Sequence, residues 1–241
     1  MIHVSDQAFM TILLSGLEAY KVALAEDEEQ SDAVEQVPME FFGHLFGTCT
    51  VREGGKYFSV EHVSIDSTAL QGDVGVRPNP HSLMLKDALI NFCWPHYQYL
   101  GYVHSHPYES AKEMQSNKGF LLSDEDKEYC DAYDDILLLM SIGKLTYPPE
   151  GEPCFYKDKS NVLKLEIANF RILLSAYPVD LSEEDEECDD DETGVFIDDE
   201  KENIILDCPA LMGMIWNDDR TRYPHGNAFS TVMNCLRSNL E

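Results

Sequence analysis

Apolar positions recur at helical spacing over residues 6–24, where Phe9, Leu13, Leu17 and Tyr20 fall on one side and predict an amphipathic helix. The pattern then changes. Residues 39–50 are rich in Phe, Leu and Thr, and residues 56–65 alternate around Tyr57, Phe58, Val60, Val63 and Ile65. Two antiparallel strands joined at Glu53-Gly54-Gly55 account for both stretches. Residues 66–80, dense in Gly and Pro, read as a loop. Residues 81–93 predict a second helix, with Leu83, Ala88, Leu89 and Phe92 available for one face and Pro95 closing it. QYLGYVH (98–104) and DILLLMSI (135–142) read as buried strands, with a short helix at 124–133 between them. Residues 143–160, with four Gly or Pro residues from Pro148 to Pro153, look like loop. NVLKLEIANFRILLSAY (161–177) is apolar throughout, so its period does not choose between strand and helix. The tail 195–241 is too short to bury a core alone, and its apolar residues, Ile204 to Leu206 and Trp216, imply packing on the main body.

Charge divides this picture. The chain has 241 residues with 45 Asp and Glu against 17 Lys and Arg, a net charge of −28. Thirteen of those acids lie in 181–202, beside the single base Lys201, so 181–194 is expected to be a solvated acidic linker. The organisation that follows is a domain over 1–180, the linker 181–194, and a C-terminal extension over 195–241. Such acidity argues against nucleic acid or an anionic membrane as partner. No apolar run reaches the length of a membrane span, and MIHVSDQAFM lacks the basic and apolar regions of a secretory signal. Seven cysteines without a C-x-x-C pair suit reduced thiols in a cytoplasm, with Cys49, Cys93 and Cys130 as small core residues.

Candidate chemistry is concentrated in 101–126. Gly101-Tyr102-Val103-His104-Ser105-His106-Pro107 places two histidines at i and i+2, which on a strand share a face, as two ligands of one metal ion require. A surface pair of histidines would have the same spacing. Pro107 is expected to end the strand. Downstream, Ser123-Asp124-Glu125-Asp126 fits a helix capping box, and the same i, i+3 geometry would let Asp126 supply an oxygen ligand. Upstream, Glu40 precedes Phe41-Phe42-Gly43-His44-Leu45-Phe46-Gly47. It is either a strand-start residue facing water or a carboxylate put to use.

Taken in order, Glu40-x-x-Gly43-x-Leu45-x-Gly47, His104-Ser105-His106-Pro107 and Ser123-x-x-Asp126 resemble the JAMM motif of the MPN+ zinc metalloproteases. The resemblance covers about residues 1–177. It implies an α/β fold of the JAB-type, cytidine-deaminase-like kind, a mixed, largely antiparallel sheet flanked by helices. It implies one Zn²⁺ held by His104, His106 and Asp126, with Glu40 as general base and Ser123 as donor to the oxyanion. It also implies a cytoplasmic isopeptidase acting on ubiquitin or a ubiquitin-like protein and its conjugates. Ser105, facing the other way, is expected to be structural, as is His44. One departure stands out. The family has seven residues between the Pro and the Ser, whereas Tyr108 to Leu122 make fifteen. A surface-loop insertion over Glu109 to Gly119 would keep Asp126 as ligand, with Asp124 as the alternative. A non-catalytic MPN scaffold, and a zinc hydrolase of a small-molecule amide, are the other functions compatible with these residues.

Overall fold

The structure, a computed structural model, describes residues 1–21, 38–53, 55–72, 75–128, 134–147, 154–181, 195–196 and 204–210. The acidic run 183–192, Cys130 and Trp216 lie outside them.

The chain opens with β1 (Ile2–Val4) and α1 (Asp6–Lys21), followed by the long strands β2 (Phe42–Arg52) and β3 (Gly55–Ile65). A short hairpin of β4 (Leu70–Gly72) and β5 (Gly75–Arg77) leads into α2 (Pro80–Cys93). Next come β6 (Gln98–Tyr108), α3 (Ala111–Ser116), α4 (Asp124–Glu128) and β7 (Ile136–Lys144). The remaining strands are β8 (Cys154–Lys159), β9 (Val162–Ile167), β10 (Phe170–Pro178), β11 (Asp180–Leu181), β12 (Val195–Phe196) and β13 (Leu206–Asp207). Nine strands form one mixed, mostly antiparallel sheet in the order β13-β1-β3-β2-β6-β7-β10-β9-β8. The mixed α/β architecture with helices against the sheet is therefore present. Among the described residues no helix is long and apolar enough to cross a membrane.

Strand alternation divides the core between two faces. Leu138, Met140, Ile142, Ile172 and Leu174 pack with Phe9, Ile12 and Leu13 of α1. Leu137, Leu139 and Tyr177 pack on the opposite face with Phe42, Tyr102 and Leu122. Covered on both sides, β7 reads as an unbroken apolar run. The segment 161–177 resolves into two antiparallel strands, with Ala168 at φ 53° in the turn between them.

Five expectations are corrected. Residues 66–80 contain the β4–β5 hairpin, and 143–160 includes β8. The predicted apolar face of α2 is not buried: Leu89 and Phe92 are exposed, and Ile90 is the helix's one buried residue. Cys93 is exposed as well. Pro107 does not end β6, which stays parallel to β7 through Tyr108↔Gly143. The Ser105 N–H points toward β2, to the Phe41 carbonyl, and position 107 has the same parity. Pairing with β2 has stopped by then, so the donor that proline lacks has no acceptor to miss.

A bulge in β6 shapes the site. The β2–β6 register jumps from Leu45↔Gly101 to Phe46↔Tyr99. Gly101 takes φ 133°, and a Cβ there would overlap the Ile136 carbonyl, so only glycine fits. The extra residue brings Tyr99 and Tyr102 to one face although they are three apart.

Candidate metal centre

After the bulge, Tyr102, His104, His106 and Tyr108 fall on one face of β6. His104 Nε2 lies 2.8 Å from Asp126 Oδ1, and His106 Nε2 lies 3.2 Å from Asp126 Oδ2. The two imidazole nitrogens are 3.1 Å apart. One donor atom from each of the three residues lies within 4.8 Å of the others, a cluster that can hold a metal ion. Two imidazoles and a carboxylate are a donor set suited to zinc that leaves a fourth tetrahedral position open. His104 is buried, and its Nδ1 has no acceptor among the described residues.

Asp126 is presented by the start of α4. Its Oδ2 accepts the Ser123 N–H at 2.7 Å, and its own N–H donates to Ser123 Oγ at 3.1 Å, a reciprocal capping box. The capping and ligand readings of Ser123-x-x-Asp126 are thus one geometry, with the carboxylate held from behind and facing the histidines. The Tyr102 hydroxyl adds a hydrogen bond to the Asp126 carbonyl at 3.3 Å. Asp124 is exposed and outside the cluster.

The lengthened connection between His106 and Asp126 is not only a surface loop. It contains α3, whose Ala111 and Met114 are buried. The Ser141 hydroxyl donates to the Gly119 carbonyl, and the Tyr177 hydroxyl to the Phe120 carbonyl. Leu122 is buried against Leu137, Leu139 and Tyr177. The extra residues form a docked helical turn, and α4 starts from an anchored position.

Glu40 stands two residues before β2 rather than within a strand. Its aim is set by neighbours. The Phe41 N–H donates to Ser105 Oγ at 2.9 Å, while the Ser105 N–H donates to the Phe41 carbonyl at 3.1 Å. Ser105, buried on the other face from the histidines, therefore fastens the Glu40 segment to the ligand strand. The Val76 N–H of the β4–β5 hairpin reaches Glu40 Oε2 at 3.2 Å. Burial pushes the Glu40 carboxyl above its ordinary range, partly opposed by the charges of His106 and His104. Burial works against Asp126 too, but the hydrogen bonds and charges of His104 and His106 outweigh it and hold that carboxyl well below the usual range. His106 is raised: burial lowers it, and the bond and charge of Asp126, with the charge of Glu40, more than compensate.

The structure thus brings His104, His106 and Asp126 together, with Ser123 behind the carboxylate and Glu40 within electrostatic reach. Sequence reasoning missed Val76 and the hairpin that carries it, for which no signal was present. It also missed Tyr102 and Tyr108, which the i, i+2 parity of the histidines could have flagged. Tyr108 senses the charges of Asp126, Glu113 and Glu40, which, after burial, raise its phenol above the ordinary value. His44 is on the same sheet face but outside the metal-ligand cluster. It is buried beside Phe42 and Tyr99, with Nε2 3.9 Å from Asp66 Oδ2. Compared with protein-family models and with curated proteins, the chain matches none.

Proposed function

We propose that the chain is a zinc-dependent peptidase of the JAMM/MPN+ kind, hydrolysing the amide bond that follows the C-terminus of ubiquitin or a ubiquitin-like protein. The observation that carries this reading is the convergence of two imidazoles and a carboxylate, fixed by strand parity and a capping box, with a second, partly buried carboxylate beside them. His104, His106 and Asp126 would hold the Zn²⁺. When bound, the ion supplies a Lewis acid that polarises the scissile carbonyl and lowers the pKa of water to about 7.

The chain's own groups do the rest. Glu40, steadied by the Val76 N–H, accepts the proton of the attacking water and delivers it to the leaving amine. The Ser123 hydroxyl accepts the Asp126 N–H, so its own proton is available to the oxyanion of the tetrahedral intermediate. Ser105 keeps the Glu40 segment in register with the histidines. The ubiquitin-like substrate class rests on the motif resemblance.

The test begins with metal content. Elemental analysis of the purified chain is expected to give about one zinc per chain, absent from the His104→Ala/His106→Ala variant. Glu40→Gln is expected to retain zinc and to lose roughly 10²- to 10⁴-fold in cleavage of ubiquitin-like fusions. A folded chain that neither contains nor takes up zinc would end the hydrolase reading. A zinc-loaded chain that cleaves small amides but no ubiquitin-like fusion would end the substrate assignment alone.

A further inference from the structure

Beside the metal centre, between α2 and the sheet, lies a cavity of about 550 Å³ that contains none of the three ligand residues. Its walls include Phe42 and His44 from β2, Tyr99 and Tyr102 from β6, and Met84 from α2. Asp134, 6% exposed, also lines it and accepts the Tyr99 hydroxyl at 2.7 Å. The bulge at Gly101 makes this lining possible by placing both tyrosines on one face.

His44 is the unexplained group. It is 2% exposed, and among the described residues neither ring nitrogen has a hydrogen-bond partner. Asp66, the nearest carboxylate, is already engaged: its Oδ2 accepts the Asn79 N–H at 2.9 Å, and its Oδ1 accepts the N–H and hydroxyl of Thr68. Leaving a buried ring nitrogen unsatisfied is costly, and a hydrogen-bond donor in the cavity would satisfy the one that accepts. Burial keeps the imidazole uncharged at neutral pH.

The chemistry of the walls selects the ligand. Aromatic faces attract cations through their quadrupoles. A buried carboxylate favours positive charge, and the neutral imidazole does not oppose it. Among the described residues that line the cavity none is cationic. The nearby Lys86 ammonium is turned to the carbonyls of Ser64 and Ile65, at 3.3 and 2.9 Å. The net charge of −28 adds a long-range pull on cations.

We infer that this cavity is a binding site for an organic cation, an amine or guanidinium group on an apolar body, either a free small molecule or a lysine or arginine side chain of a polypeptide. The inference is independent of the peptidase reading.

The test titrates the full chain with n-butylguanidinium and with its neutral counterpart n-butylurea, by calorimetry and by the ring-current shifts of the butyl protons. Saturable binding of the cation is expected, at least tenfold tighter than the urea and accompanied by upfield shifts from the aromatic walls. Asp134→Asn is expected to weaken it at least tenfold. Met84→Trp, at an exposed position that should not disturb folding, is expected to abolish it, and carries the test if the Asp134 variant fails to fold. His104→Ala/His106→Ala should leave the affinity unchanged. Equal affinity for cation and urea, binding that survives Met84→Trp, or loss of binding in the histidine variant would each overturn the inference. An arginine tetrapeptide set against its citrulline analogue separates the sources: tighter binding than butylguanidinium assigns a polypeptide side chain, weaker binding a free small molecule.

Discussion

His44 should make the protein acid-sensitive in a way that one substitution removes. Its pKa falls from 6.5 to about 4, mainly by burial, with the Lys86 charge adding and the Asp66 charge opposing. A histidine lowered on folding binds fewer protons in the folded than in the unfolded chain. Its contribution is therefore intact above the unfolded value of 6.5 and is lost as pH falls toward 4. At about 1.4 kcal/mol for each pKa unit, the full loss is roughly 3 kcal/mol, of which about 2 kcal/mol is reached between pH 7.5 and 5. His44→Phe keeps an aromatic ring between Phe42 and Tyr99 and removes both unsatisfied nitrogens. The assay is urea unfolding of both chains from pH 7.5 to pH 5, above the sequence pI of 4.4. Titrations elsewhere, including those of Glu40, His106 and Asp126, are common to the two chains and drop out of the difference. The variant should gain about 2 kcal/mol on the wild type over this range. Parallel stability curves would show that His44 titrates normally and would refute the burial argument.

Gly101→Ala should destabilise the chain by more than about 3 kcal/mol in the same unfolding assay, since its Cβ meets the Ile136 carbonyl at a positive φ. Gly55→Ala, at φ 119° but in open space, should cost only about 1 kcal/mol. Asp126→Asn should weaken zinc uptake and Asp124→Asn should not, measured by competition with a chromogenic chelator; a reversal would put the ligand two residues upstream. Tyr177→Phe strands the Phe120 carbonyl and should cost about 1–3 kcal/mol, with faster amide exchange across 108–122 as the accompanying sign.

Much of the candidate site could be read from local rules. The shared face of His104 and His106 follows from strand parity. The placing of Asp126 follows from the capping box, because a side chain that bonds the Ser123 N–H must turn back over the helix start. Exposed Asp124 has no such constraint. The hairpin of β2 and β3, the helix α1 and the doubly covered β7 were equally legible, because period and turn chemistry act over a few residues.

Contacts between distant residues decided the rest. Glu40 is aimed by Ser105 and Val76, 65 and 36 positions away, and no local pattern encodes either bond. Whether 161–177 was strand or helix was settled by pairing, of β10 with β7 and of β9 with β10. The apolar residues of α2 predicted a buried face, yet burial depends on what packs against the helix, and Leu89 and Phe92 have little against them among the described residues. The bulge at Gly101 reverses the parity of everything before it in β6, so the alternation that places the histidines correctly misplaces Tyr99. The sequence by itself thus determined the donor set and the elements that carry it, since those depend on short-range geometry. Tertiary structure alone decided how the Glu40 carboxylate is held near the candidate ligands and which aromatic residues wall the cavity beside them, because a register shift and long-range hydrogen bonds are properties of pairing between strands.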